Sequence, residues 1–134
     1  MREILFRGKR LGDGEWIEGQ LFIDDKKEKH EILIGFVNYR ISWEVDPGTV
    51  GQYTGLNDKN GKQVFEGDIL MDDRGKLFEV FFTEKSCSFM VKCRKAPNEW
   101  ETGNYRIGKP CGDMMSVIGN VHDNPELLRG DGDD

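Results

Sequence analysis

Alanine occurs once in this chain of 134 residues, at Ala96, and proline four times. Glycine occurs 17 times. So little of the best helix former, against so much glycine, disfavours long helices and favours strands joined by many turns. Cysteine is scarce: Cys87, Cys93 and Cys111 make an odd count with no C-x-x-C spacing. That argues against a disulfide framework and against a zinc site, and it makes a reducing cytoplasm the expected compartment. No run reaches the about 18 apolar residues that a membrane span needs. The opening Met1-Arg2-Glu3-Ile4-Leu5-Phe6-Arg7 lacks the apolar core of a signal peptide. Basic charge is in deficit, with 19 Lys and Arg against 25 Asp and Glu and a net charge of −6. A protein that grips phosphates shows a clustered basic face. Here there are short basic clusters, such as Arg7-Gly8-Lys9-Arg10 and Arg94-Lys95, but no basic excess, so nucleic-acid binding is not the favoured expectation.

What is present is organised around residues 51–70. Tyr53 and Leu56 lie on an incoming strand, Asp58-Lys59-Asn60-Gly61 reverses the chain, and Val64, Phe65, Ile69 and Leu70 lie on the outgoing arm. Asn-Gly is a strong hairpin signal because both residues tolerate positive φ. Glu66-Gly67-Asp68 interrupts the second arm, and Gly67 predicts a bulge or sharp bend.

In chain order, residues 2–7 read as a first strand and Gly12-Asp13-Gly14 as a turn. Trp16 to Ile23 alternate as a half-buried strand does, with Ile17, Leu21 and Ile23 on one face. Asp24 to Lys29 read as a solvated hairpin tip. Glu31 to Val45 are one long strand or two strands broken near Gly35. Asp46-Pro47-Gly48 suits a type II turn, with Gly48 at the positive φ. Asp72 to Gly75 form another turn. Residues 77–83 are apolar on both faces, which predicts a central strand. Residues 87–93 follow as a strand with Cys87, Phe89, Val91 and Cys93 on its core face. Residues 95–110 carry loop signals throughout, and residues 114–121 form a last strand. Asn124, Pro125 and Glu126 suit the N-cap and first turn of a short helix. Residues 129–134 read as a disordered acidic tail.

No catalytic, cofactor-binding or metal-binding residue is assigned. An EF-hand with Gly61 at its sixth position would put Leu56 and Gly67 where its first and last acidic ligands belong. Glu66 and Asp68 could hold a metal or act as an acid and base, with His122 as a third group. Gly67 breaks the strand between them, so turn capping is the expected role, and Asp72-Asp73 read the same way. His30 and His122 lie near no G-x-S-x-G, and no G-x-G-x-x-G or P-loop occurs. Trp16, Tyr39, Trp43, Tyr53, Trp100 and Tyr105 could stack on single-stranded nucleic acid, but core aromatics are the commoner explanation.

Three blocks carry a family resemblance. They are Met-Arg-Glu-Ile-Leu-Phe-Arg-Gly (1–8), the whole of 51–70, and Val-Ile-Gly-Asn-Val-His-Asp-Asn-Pro-Glu-Leu-Leu (117–128). In this order they resemble the YopX protein family of bacteriophages and prophages. The resemblance implies a phage or prophage accessory protein with no established activity and no functional residues to carry over. It also implies self-association, with a trimer as the expected assembly. The expected fold is mainly β, with bent antiparallel sheets around an SH3-like barrel core and a short C-terminal helical turn. The expectation is one domain over residues 1–128, with N-terminal strands in 1–50 and the barrel core in 51–122. The expected function is non-enzymatic: binding a phage or host protein, or another copy of itself, with no cofactor and no membrane. The alternative is a nucleic-acid-associated protein of phage DNA metabolism. An enzyme or metalloprotein on Glu66, Asp68 and His122 comes third.

Overall fold

The computed structural model describes residues 3–26, 28–35, 39–96, 103–108 and 113–129. The chain forms two compact units, residues 1–53 and 54–134. Their boundary falls inside one strand.

The first unit is built from β1 (Phe6–Lys9), β2 (Trp16–Asp24), β3 (Lys29–Gly35), β4 (Arg40–Val45) and the start of β5 (Gly51–Asn57). The strands pair antiparallel in the order β4-β3-β2-β1-β5. Ile32 of β3 stands opposite Leu21 of β2 and Trp43 of β4. His30, in the next row of that face, stands opposite Ile23 and Val45. This is the period-two pattern of Ile17, Leu21 and Ile23 continued across two more strands. The sheet curls until the end of β4 returns to β1, where Arg10 bridges Val45. The curl buries Ile32 and Val45 completely.

Two glycines permit that curl. A Cβ on Gly8 would lie 3.1 Å from the Cβ of Val45, and one on Gly19 would lie 2.3 Å from the Leu33 carbonyl oxygen. After β4 the chain makes a 3-10 turn, Pro47–Thr49, capped by Asp46, whose Oδ1 accepts from the Gly48 N–H. The expected type II turn is therefore corrected. Gly48 is not among the positive-φ residues, because the Asp46 carboxylate holds its N–H in a helical turn. Thr49 ties this turn to β1 by accepting from the Lys9 N–H at 2.9 Å. The first strand runs over 6–9 rather than 2–7, where its register with Trp16–Gly19 lies.

The second unit holds the rest of β5, β6 (Gln63–Phe65), β7 (Asp68–Met71), β8 (Leu77–Thr83), β9 (Ser88–Lys95), β10 (Gly103–Arg106) and β11 (Ser116–Asn120). β6 ends the sheet that contains β5. The other five strands form an open antiparallel sheet in the order β10-β9-β8-β7-β11. β8 is the central strand, as its two apolar faces predict. Val64, Leu70, Phe78, Val80, Val91, Cys93 and Met115 form the core.

The SH3-like barrel expected over 51–122 is not what forms. β10 and β11 are opposite edges of an open sheet, and β5 and β6 belong to the other sheet. Cys87 is a second correction. It is exposed at the tip of the β8–β9 turn with φ of 50°, while Cys93 is buried. β10 is a third. Its residues read as loop, yet Tyr105 pairs with Val91 and Gly103 with Cys93. The expected break near Gly35 does end β3. The C-terminal element is a single 3-10 turn, Pro125–Leu128. Trp100, Cys111 and the tail from Gly130 lie outside the described residues.

The contrast between crowded and open glycines makes a test. A methyl at Gly19 must displace backbone, whereas one at Gly12 meets nothing within 4 Å. Gly19→Ala should lower unfolding free energy by about 2 kcal/mol, and Gly12→Ala should change it by less than about 1 kcal/mol. Urea denaturation of both variants reads the difference.

Candidate functional site

The polar residues singled out in the sequence sit mostly in turns, where their oxygens accept backbone N–H groups. The clearest case is Asp58, which is only 5% exposed. Its Oδ1 accepts from the Asn60 and Lys62 N–H groups at 2.9 and 2.8 Å, and its Oδ2 accepts from Val117 N–H at 2.9 Å. The Lys59 N–H donates to the Met115 carbonyl at 3.0 Å. One carboxylate thus closes a turn and ties it to the start of β11, 59 residues away.

Asp72 builds the same turn again. Its Oδ1 accepts from Arg74 and Lys76 N–H at 3.0 and 2.8 Å. The Gly61 and Gly75 N–H groups donate back to the carbonyls of Asp58 and Asp72, with φ of 83° and 82°. Asp-x-x-Gly-Lys at 58–62 and 72–76 is therefore a repeated turn, and that spacing was the signal available in the sequence. Only the glycine takes positive φ; Asn60 does not. The reversal at 58–61 is thus a three-residue loop ending in a glycine bulge rather than a two-residue Asn-Gly turn.

Gly67, with φ of 92°, makes the expected bend between β6 and β7. Its N–H donates to the Val80 carbonyl and its carbonyl accepts from the Val121 N–H. Asp68 is buried, and its Oδ2 accepts from the Phe65 N–H at 2.8 Å. This geometry gives Asp68 the capping role expected of it, closing the bend at Gly67. The bond from Val121 to the Gly67 carbonyl sets Val121, the residue before His122, beside Gly67. There Asn120 Oδ1 accepts from the N–H groups of His122 and Asp123 at 3.0 and 2.9 Å. Asn124 does not cap the turn that follows it; its Oδ1 instead accepts from the Asn120 N–H at 3.2 Å. Among the described residues, no group of three or more His, Cys, Asp and Glu side chains is placed to hold a metal ion.

A second cluster lies on the first unit. Lys9 of β1 stands opposite Trp16 of β2. The Arg7 guanidinium lies 4.7 Å from the Trp16 ring centroid and the Lys9 ammonium 5.4 Å. Arg10 lies 4.5 Å over Trp43 and is held in place by Asp13, whose Oδ1 accepts from Arg10 Nε at 3.0 Å. The hydrogen bond to Arg10, with that of the Glu15 N–H, sets the Asp13 carboxyl below its usual value. The structure thus sets Arg7 and Lys9 over Trp16 and Arg10 over Trp43, with the two indoles on opposite faces of the sheet. Tyr53 is buried, which pushes its hydroxyl pKa up, with Glu3 adding to the shift. No described helix is long and apolar enough to cross a membrane.

A sequence model of the family described as YopX protein matches residues 5–129. The solved structure of protein EF1440 from Enterococcus faecalis is similar to this chain, with a TM-score of 0.58 and 24% sequence identity. That likeness covers 96% of this chain and 100% of the other. At this identity it speaks for the fold alone. No curated protein matches the sequence.

The Asp58 turn yields a prediction with a definite sign. Burial raises its pKa, but the N–H groups of Val117, Lys62 and Asn60 outweigh burial and hold it below the ordinary value of 3.8. The stabilisation is complete above that value and is lost as the pH falls through the lower folded value. Asp58→Asn turns an amide NH2 toward one of these donors. It should cost about 1–3 kcal/mol at pH 7 and flatten the acid limb of the stability profile. Denaturation midpoints between pH 2 and 7 check both effects.

Proposed function

This chain belongs to the YopX family, and from that premise we propose that it is a non-enzymatic binding module of phage or prophage origin. It works in the cytoplasm of the bacterial host by binding a phage or host protein, or further copies of itself. One observation carries the reading. The first unit leaves large apolar side chains in solvent: Phe22 at 57%, Ile23 at 47%, Tyr39, just before β4, at 59%, and Trp43 at 39% exposure. Ile23 and Trp43 fall on one face of the sheet and Phe22 on the other, and exposed apolar side chains that share a face mark interaction surfaces. The placement of Asp58, Asp68 and Asp72 against backbone amides adds support, since carboxylates so bound are poorly placed for chemistry.

A second reading has its own support. The Arg7, Lys9 and Trp16 cluster, like the Arg10 and Trp43 pair on the other face of the sheet, combines cations with an indole, the pairing that single-stranded nucleic acid uses. The net charge of −6 weighs against it.

A nuclease-treated pull-down of the tagged protein from phage-infected cells, read by mass spectrometry, tests the proposal. The expected result is one specific protein partner, or the protein itself, with capture reduced by the double substitution Phe22→Ser and Ile23→Ser. A strictly monomeric protein that captures nothing would end the binding-module reading. Salt-sensitive retention of single strands at ~50 mM salt would move the second reading ahead.

A further inference from the structure

We propose that Asn60 is a site of spontaneous covalent modification, in which the Gly61 nitrogen displaces the side-chain amide. The Asp58 turn sets the rate, and the isoaspartyl product releases β11.

The reacting pair is written in the sequence. Asn60 is the one asparagine in the chain followed by glycine. A backbone nitrogen attacks the side-chain carbonyl carbon of the asparagine before it, and glycine, with no Cβ, leaves that approach open. A bond forms from the Gly61 nitrogen to Asn60 Cγ. The bond from Cγ to the side-chain nitrogen breaks, and ammonia leaves with the proton of the Gly61 N–H. Water then opens the cyclic imide at one of its two carbonyls. One opening gives aspartate. The other gives isoaspartate, in which the backbone runs through the side chain and is longer by one carbon. Water is the only co-reactant, and nothing is oxidised or reduced. The neighbouring asparagines are worse placed. Asn57 precedes Asp58, Asn120 precedes Val121, and Asn124 precedes Pro125, which has no N–H to give.

The structure sets when the reaction runs. Asn60 and Gly61 are both exposed, so water reaches them. The attacking nitrogen, however, is engaged: the Gly61 N–H donates to the Asp58 carbonyl at 3.0 Å. The peptides on either side are held as well. The Asn60 and Lys62 N–H groups both donate to Asp58 Oδ1, at 2.9 and 2.8 Å, and the Asp58 N–H donates to the Lys62 carbonyl at 2.8 Å. To attack, the Gly61 nitrogen must give up its proton and swing toward the Asn60 side chain. These bonds oppose both movements. Conversion therefore runs through molecules in which the turn has opened, and its rate follows their fraction.

The product acts on the same bonds. Isoaspartate inserts a backbone carbon between the Asn60 and Lys62 N–H groups, so the two no longer converge on one oxygen. Asp58 Oδ2 holds the Val117 N–H at 2.9 Å, and a carboxylate unseated from its turn loses that bond too. Aspartate keeps the backbone length and only adds a charge at an exposed position. Isoaspartate is thus the product that frees β11.

The test incubates the full chain and a synthetic peptide of residues 56–64 side by side in neutral buffer. Peptide mass spectrometry with electron-transfer fragmentation reads conversion at each asparagine and separates the two products. Asn60 should convert before any other asparagine. It should convert at least about tenfold more slowly in the folded chain than in the peptide, because hydrogen bonds to a charged group hold the turn closed. Asp58→Ala should remove most of that difference while the Val80 amide stays protected. Should this variant unfold, the ratio between the folded chain and the peptide carries the test. Ion exchange isolates the converted chain by its added negative charge. Hydrogen exchange should then show the Val117 amide exchanging at least about tenfold faster in the isoaspartyl fraction. Asn60→Asp, which adds the charge alone, should leave Val117 protected. Equal rates in chain and peptide overturn the proposal, as does another asparagine converting first. So does a folded Asp58→Ala chain that converts no faster, or an isoaspartyl fraction whose Val117 is as protected as in the fresh chain.

Discussion

The second unit depends on one buried carboxylate. Asp58 satisfies two amides of its own turn and the amide that opens β11. A buried charge is costly unless hydrogen bonds meet it. The bond to Val117 crosses 59 residues of sequence, so it forms only when the turn and β11 are both in place. Lys59 and Met115 add a backbone bond at the same spot. β11 pairs with β7, and β7 supplies Ile69 and Leu70 to the interior. The carboxylate therefore acts on the core through the strand it positions. Asp72 repeats the turn without the long-range bond, which separates what the motif does locally from what Asp58 adds.

The same economy runs through the family's signature blocks. Gly67 turns the chain between β6 and β7 while its two backbone groups reach β8 and the start of the C-terminal segment. Gly119 has no room for a side chain, since a Cβ there would lie 2.5 Å from Asn124 Oδ1. Asn120 and Asn124 then hold each other's backbone. These residues make turns and close approaches. Their physical role here is to hold the fold.

Local features were legible in the sequence because they depend on few residues. The alternation of Ile17, Leu21 and Ile23, the bend at Gly67, the turns at 58–61 and 72–75 and the break at Gly35 all follow from period and turn chemistry. Sheet membership was not legible. Whether β5 and β6 pair into the sheet of β7–β11 depends on non-local hydrogen bonds that no window of sequence contains, so a barrel was expected where an open sheet forms. β10 is a strand only because Val91 and Cys93 stand beside it; its own residues favour a loop. Cys87 fell outside its expected strand by one position, which sufficed to move it from core to turn tip. The cation–indole cluster was visible only as two separate lists, basic residues and aromatics. The register of β1 with β2 joined them.

Amide hydrogen exchange tests most directly whether Asp58 fastens the turn to β11. If it does, the amides of Lys62 and Val117 are protected to the level of core amides such as Val80, and all three lose protection together in Asp58→Ala. The contradicting result is a Val117 amide that exchanges as fast as those of Arg74 and Gly75 while Val80 stays protected. That result would mean β11 opens independently of the core.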